Sequence, residues 1–240
     1  MARRATALKE FRESAADHPL FLLSGGHTFA PLDGSAPDAR LRAALAKAYS
    51  RLDYDLGLLT PAEAGLLRAV KAPIPANWIV LDDTVKVRLL SKGKITLGIV
   101  IFPTLADDAQ AAPSQAMRKA IAVAANDLRD RADLVVGMST WGVQAEQNLL
   151  DGAPLPMDLL LGTGRGLGFN GRLMNGDTLL WMRMFDKGKA LQRIDVLALP
   201  GKSGTDWRQG QTISWSTIPL TEKLYPDPGI GELFAPFEKN

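Results

Sequence analysis

The chain has 240 residues, 46% hydrophobic and 22% charged, ordinary values for a globular protein able to bury a sizeable core. Lys and Arg number 28 against 26 Asp and Glu, so no basic face of the kind nucleic acid demands is expected, and no nucleic-acid partner. Cysteine is absent, which excludes disulfides, thiolate metal sites and cysteine nucleophiles. No apolar run reaches the roughly 20 residues of a membrane span, and MARRATALKEF lacks the apolar stretch of a signal peptide.

Apolar spacing predicts a first helix over 2–16, with Ala5, Leu8, Phe11 and Arg12 on one face. PLFLLSGG (19–26) reads as a buried strand ending in glycines, and a second helix is predicted over 38–52 along Leu41, Leu45, Ala48 and Leu52. DYDLGLL (53–59) is strand-like and runs into TPAEAGLLRAV (60–70). There Thr60, Pro61 and Glu63 supply an N-cap, a first-turn proline and a capping-box acid. VKVRLLSK (85–92) and ITLGIVIF (95–102) predict a hairpin turning at Gly93. Ser114 caps the next helix, with Met117, Ile121, Ala124, Leu128 and Ala132 along its stripe. DLVVGMSTWG (133–142) and PMDLLLGTGRG (156–166) each read as a strand with a loop at its carboxyl end. From 177 onward the pattern is β, through DTLLWMRM, ALQRIDVLAL and QTISWST, and the tail over 225–240 predicts a short closing helix. No repeat or long linker divides the chain, which reads as one α/β domain over 1–240.

The stretch LLLGTGRGLGFNG (159–171) contains Gly166, Gly168 and Gly171 in the G-x-G-x-x-G spacing. A dinucleotide turn must open a helix whose N-terminus meets the pyrophosphate. NGRLMNGDTLLWMRM follows instead and reads as loop and then strand, so the match is not a nucleotide turn. PGKSG (200–204) has no glycine at the position a phosphate loop needs, which Val196 occupies, and reads as a turn. His18 and His27 have no partners at metal-ligand spacing, and His18, before Pro19, reads as solvated.

Taken in order, the strand ends resemble the calcineurin-like metallophosphoesterases, in particular the 5'-nucleotidase and UDP-sugar hydrolase branch. ARRATALKEF is similar to the helix after that family's first metal loop, and PLFLLSGGHTF to the strand ending in Asp-x-Gly-Asp. YDLGLLTPAE resembles the strand and Gly-Asn-His-Glu turn, and APIPANW the Asn-containing segment beyond it. ADLVVGMSTWG and MDLLLGTGRG are similar to the Leu-Ser-His-Leu-Gly and Gly-Gly-His-Ser-His segments, and GDTLLWMRMFDKGKALQRIDVLAL to the closing strands.

The resemblance implies a sandwich of two mixed sheets flanked by helices, and a two-metal centre held by Asp, His and Asn at strand ends. This chain departs at those ends. His27 stands in place of the bridging Asp, Pro61 and Ala62 replace the Asn-His pair, and Thr140, Gly164 and Gly166 replace the later histidines. The family's first strand, with Asp-x-His, would lie before Met1. The expectation is therefore a degenerate domain with no catalytic residue, no metal and no cofactor, acting in binding or assembly. The alternative is a phosphoesterase or nucleotidase with a rebuilt site.

The ligand expected is a small anion or phosphate-containing molecule touching His27, Thr163 and Arg165, because glycines free backbone N–H groups and a guanidinium forks onto phosphate. Each residue has a structural alternative: His27 and Arg165 as loop residues, Glu63 as a cap, Asp133 and Asp158 as caps or turn residues at strand starts, Trp141 and Trp181 as packing. The missing strand is expected to leave an empty place inside the sheet, completed by an upstream segment or by a protein partner. The expected location is left open between the cytoplasm, for the chain as written, and the periplasm or cell envelope, for an upstream start with an export signal.

Overall fold

The computed structural model describes residues 1–30, 32, 38–106, 112–185, 188–201 and 206–237. They form two compact units, Met1–Val80 with Pro219–Asn240, and Leu81–Ile218. Each combines helices with sheet, in keeping with the α/β class expected. The turn expected at 200–204 lies partly outside the described residues.

The first unit contains α1 (Ala2–Ser14), β1 (Leu23–Ser24), α2 (Ala39–Arg51), β2 (Leu56–Leu59), α3 (Pro61–Ala69) and β3 (Trp78–Val80). Its sheet is wholly parallel, in the order β1-β2-β3, and these strands leave no empty place between them. α1 turns a slightly different face inward than the apolar spacing predicts: Arg4, Ala5, Ala7 and Leu8 are buried. The Arg4 guanidinium is drawn in by the Tyr54 hydroxyl, 3.2 Å away. Arg12 stays exposed and donates to the Leu52 and Asp53 carbonyls. Around this sheet Phe29, Tyr49, Tyr54 and Trp78 form an aromatic cluster with centroids 5.4 to 6.5 Å apart. Such edge and offset contacts add to what burial of the rings contributes. The closing helix expected in the tail is α6 (Pro228–Gly231), capped by Asp227, with a 3-10 turn over Ala235–Phe237.

The second unit carries the larger sheet. Its elements are β4 (Lys86–Lys92), β5 (Ile95–Ile101), α4 (Gln115–Arg129), β6 (Leu134–Ser139), α5 (Val143–Leu150), β7 (Leu159–Gly162), β8 (Phe169–Met174), β9 (Leu179–Arg183), β10 (Ala190–Val196) and β11 (Ile213–Pro219). Six strands pair in the order β4-β5-β6-β7-β9-β8, while β10 and β11 form a separate ribbon. β5, β6, β7 and β9 run parallel, and β4 and β8 close the edges antiparallel. The β4–β5 hairpin turns at Gly93, whose φ of 59° suits glycine. α4 is capped by Ser114 as predicted and buries Ile121, Ala125 and Leu128. With Val100, Phe102, Val135, Trp141, Leu160 and Trp181 they make the core.

Two elements of this unit were not predicted. α5 supplies the crossover that parallel neighbours β6 and β7 require. Its eight residues, VQAEQNLL, are too few to display a helical period. β8 occupies the segment read as loop, because its Asn and Gly residues mask an edge strand paired with β9.

Candidate functional site

The loops at the carboxyl ends of the parallel strands β6, β7 and β9 lie next to one another in the second unit. Glycine is frequent in the loop after β7 because the chain passes too close to its neighbours for any side chain. A Cβ at Gly162 would strike the Glu146 carboxylate, and one at Gly164 the Thr140 and Trp141 carbonyls. At Gly166 it would meet Val143, and there φ is +111°, a conformation that L side chains rarely adopt. Gly168 lies against the backbone of Met184 and Phe185. Strand β8 follows this loop rather than a helix, so the Gly166, Gly168, Gly171 spacing forms no nucleotide turn, as the sequence predicts.

A buried ion pair holds this loop. Glu146 on α5 is 0% exposed and Arg183 at the end of β9 is 1% exposed. Arg183 Nη1 donates to Glu146 Oε2, as does the Trp181 indole at 2.8 Å. The same guanidinium donates to the Gly164 carbonyl at 2.7 Å, the Arg165 carbonyl at 3.0 Å and the Trp141 carbonyl at 3.3 Å. The Arg165 carbonyl also accepts from Val143 N–H at 2.8 Å. Burial pushes the Glu146 carboxyl above its ordinary value, while Arg183 and Trp181 oppose the rise. Neither Glu146 nor Arg183 stands out in the sequence: one sits in an unpredicted helix, the other ends an apolar strand.

The predicted contacts fall on both units. Thr163, half-buried, donates its hydroxyl (3.2 Å) and its N–H (3.0 Å) to the Ser139 carbonyl, tying the β7 loop to the end of β6. Arg165 is exposed, as are Gly166 and Leu167 beside it, and Leu167 is 82% exposed. In the first unit His27 adopts a φ of 65°. Its N–H donates to Glu63 Oε2 at 3.0 Å, and that of Phe29 to Glu63 Oε1 at 2.7 Å. Glu63 also completes the predicted capping box with Thr60. One buried carboxylate thus caps α3 and fixes the loop after β1.

Asp158 also exceeds the cap or turn role expected of it. Its carboxylate is 2% exposed, accepts from Val135 N–H at 2.7 Å and pairs with Arg129 at 2.8 Å. Trp141 and Trp181 are packing residues, each with a bonded indole N–H.

The two-metal centre implied by the resemblance can be tested against these donors. Thr140 is buried, Gly164 and Gly166 offer no side chain, and Pro61 and Ala62 open α3 on its exposed side. Among the described residues no three His, Cys, Asp or Glu come together as metal ligands. At the ends of β6 and β7 the oxygens that face inward already surround a guanidinium, which would repel a divalent ion placed among them.

No protein-family model and no curated protein matches the sequence. Solved structures do match. The sulfate thiohydrolase SoxB of Thermus thermophilus superposes with a TM-score of 0.69 at 14% identity, over 98% of this chain and 46% of that one. The calcineurin-like phosphoesterase YfkN of Bacillus subtilis gives 0.61 at 16% identity, over 98% of this chain and 86% of that one. The NAD nucleotidase of Haemophilus influenzae gives 0.61 at 12%, over 90% and 48%. The chain therefore spans about half the length of the first and third. At such identities the likeness speaks for architecture and not for activity: this chain has the calcineurin-like phosphoesterase fold.

Proposed function

We propose that the chain is a phosphoesterase-fold domain that works in binding or assembly and not by metal-dependent hydrolysis. The observation that carries this reading is the Arg183 guanidinium, buried among the carbonyls of the β6 and β7 loops. A phosphoester is opened in a two-metal site by clamping its oxygens and lowering the pKa of a bound water. A guanidinium whose Nη donors are spent on protein oxygens does neither.

The proposed ligand is a small anion, phosphate or a phosphate-bearing molecule, at the loop 162–171. Its charged contact is Arg165, exposed and without a hydrogen bond or ion pair from its guanidinium among the described residues. Thr163 serves by holding the loop, since its hydroxyl is bonded to Ser139. On the first unit, His27 is a separate proposed contact.

Three measurements test the reading. Elemental analysis after dialysis against manganese or zinc is expected to find well under one equivalent per chain, with no turnover of a nucleoside monophosphate. Two retained ions and chelator-sensitive hydrolysis would establish the rival, an enzyme with a rebuilt site. A phosphate titration is expected to respond in the parent and to weaken in Arg165→Ala, and equal responses would remove the anion site.

A further inference from the structure

We propose that the oxygens at the carboxyl ends of β6 and β7 form a cation cage, and that Arg183 is its built-in cation. This goes beyond the proposed function by assigning a role to a residue that neither ligand nor substrate touches. The cage consists of the Glu146 carboxylate and the main-chain oxygens of Trp141, Gly164 and Arg165. Three of its walls come from loops rather than from regular structure, and carbonyl dipoles converging in this way repel one another unless a positive charge lies among them.

Several features identify the guanidinium as what holds the cage. Its planar fork presents five donors in a fixed geometry, where an ammonium has three on a flexible stem. The glycines around it are placed for it: Gly162 leaves space for the Glu146 carboxylate and Arg183 Nη1, and Gly164 lets its chain approach Thr140 and Trp141. The carbonyl of Arg165 accepts from Val143 N–H, so the cage also fixes the start of α5, the helix that carries Glu146. Arg183 Nε is buried and has no hydrogen-bond partner among the described residues. Arg183 is a positioning residue: it orders the loop that carries Arg165 without meeting any ligand itself.

Removing the side chain while leaving the oxygens should turn the cage into a site for a free cation. Arg183→Ala is expected to melt below the parent and to regain part of the loss in millimolar guanidinium, but not in equal urea or sodium chloride. The parent should show no such gain. A folded Arg183→Ala protein that guanidinium stabilises no better than urea does would overturn the proposal.

Glu146→Gln keeps the shape of the cage and removes its anion, and covers the case in which Arg183→Ala does not fold. Hydrogen exchange at the Val143 and Thr163 amides is expected to quicken by about tenfold or more, the change that a loss of about 1.4 kcal/mol produces. Unchanged exchange there would count against the cage. In the parent, manganese is expected to leave both amides as they are, and protection by manganese would show that a metal and not Arg183 orders these loops. Metal-dependent hydrolysis with both amides indifferent to manganese would sink the proposed function and leave the cage standing.

Discussion

At the scale of single residues, the glycines after β7 and the carboxylate of Glu63 show how little freedom the loops have. Gly164 cannot take a side chain because the obstacle is backbone, the carbonyls of Thr140 and Trp141, which cannot rotate away. Gly164→Ala is expected to cost about 1–3 kcal/mol, the usual price of overpacking. Denaturant unfolding would check it, and a change within a few tenths would show that the loop yields easily. Glu63 is legible in the sequence as a capping-box acid, and the box forms as read. Its second task, receiving the N–H groups of His27 and Phe29, is not legible, because those partners lie 36 and 34 residues away. Glu63→Ala should therefore cost more than Thr60→Ala, for which about 1 kcal/mol is expected from loss of the cap. Equal losses would mean that the loop contacts contribute nothing.

At the scale of elements, propensity and packing separate cleanly in α3. Gly65 lies inside that helix, and a Cβ there would meet nothing within 4 Å. Gly65→Ala is thus expected to stabilise the protein by about 0.5–1 kcal/mol, by lowering the freedom of the unfolded chain. A destabilised variant in thermal unfolding would contradict this. The same distinction explains which elements the sequence revealed. α2, α3 and α4 have side-chain caps, and α4 is long enough for its period to show. α5 has eight residues and a glycine N-cap without a side-chain bond, and β3 has three residues. Elements this short are defined by the strands beside them rather than by their own residues.

At the scale of the whole molecule, buried carboxylates set part of the response to pH. Burial holds Asp158 above its ordinary value of 3.8, against Arg129 and the Val135 amide. A carboxyl raised on folding binds its proton more tightly in the folded state. Its contribution is complete below the unfolded value and is lost as the pH rises through the folded one. Asp82 works in the opposite sense: Lys86 and Thr84 lower it to about 2, so its contribution is present above its ordinary value and lost as the pH falls through 2. Asp82 is exposed, and solvent weakens its effect. Stability measured across the acid range is expected to fall less steeply with rising pH in Asp158→Asn than in the parent. Parallel curves would show that Asp158 does not titrate differently on folding.

What the sequence determined by itself was local or periodic: the α/β class, the Gly93 hairpin, the caps of α3 and α4, and the failure of the Gly166, Gly168, Gly171 spacing to begin a helix. Each follows from residues a few positions apart, whose backbone preferences act before any tertiary contact forms. The order of strand ends also carried the resemblance to a phosphoesterase fold. Only the tertiary structure decided what those strand ends hold. Glu146 and Arg183 are 37 residues apart, in elements that show no polar pattern, and Trp141, Gly164 and Arg165 contribute carbonyls, which every residue possesses. A main-chain oxygen leaves no mark in a sequence. The cluster exists because parallel strands β6, β7 and β9 end side by side, and burial there demands that one charge be met by another.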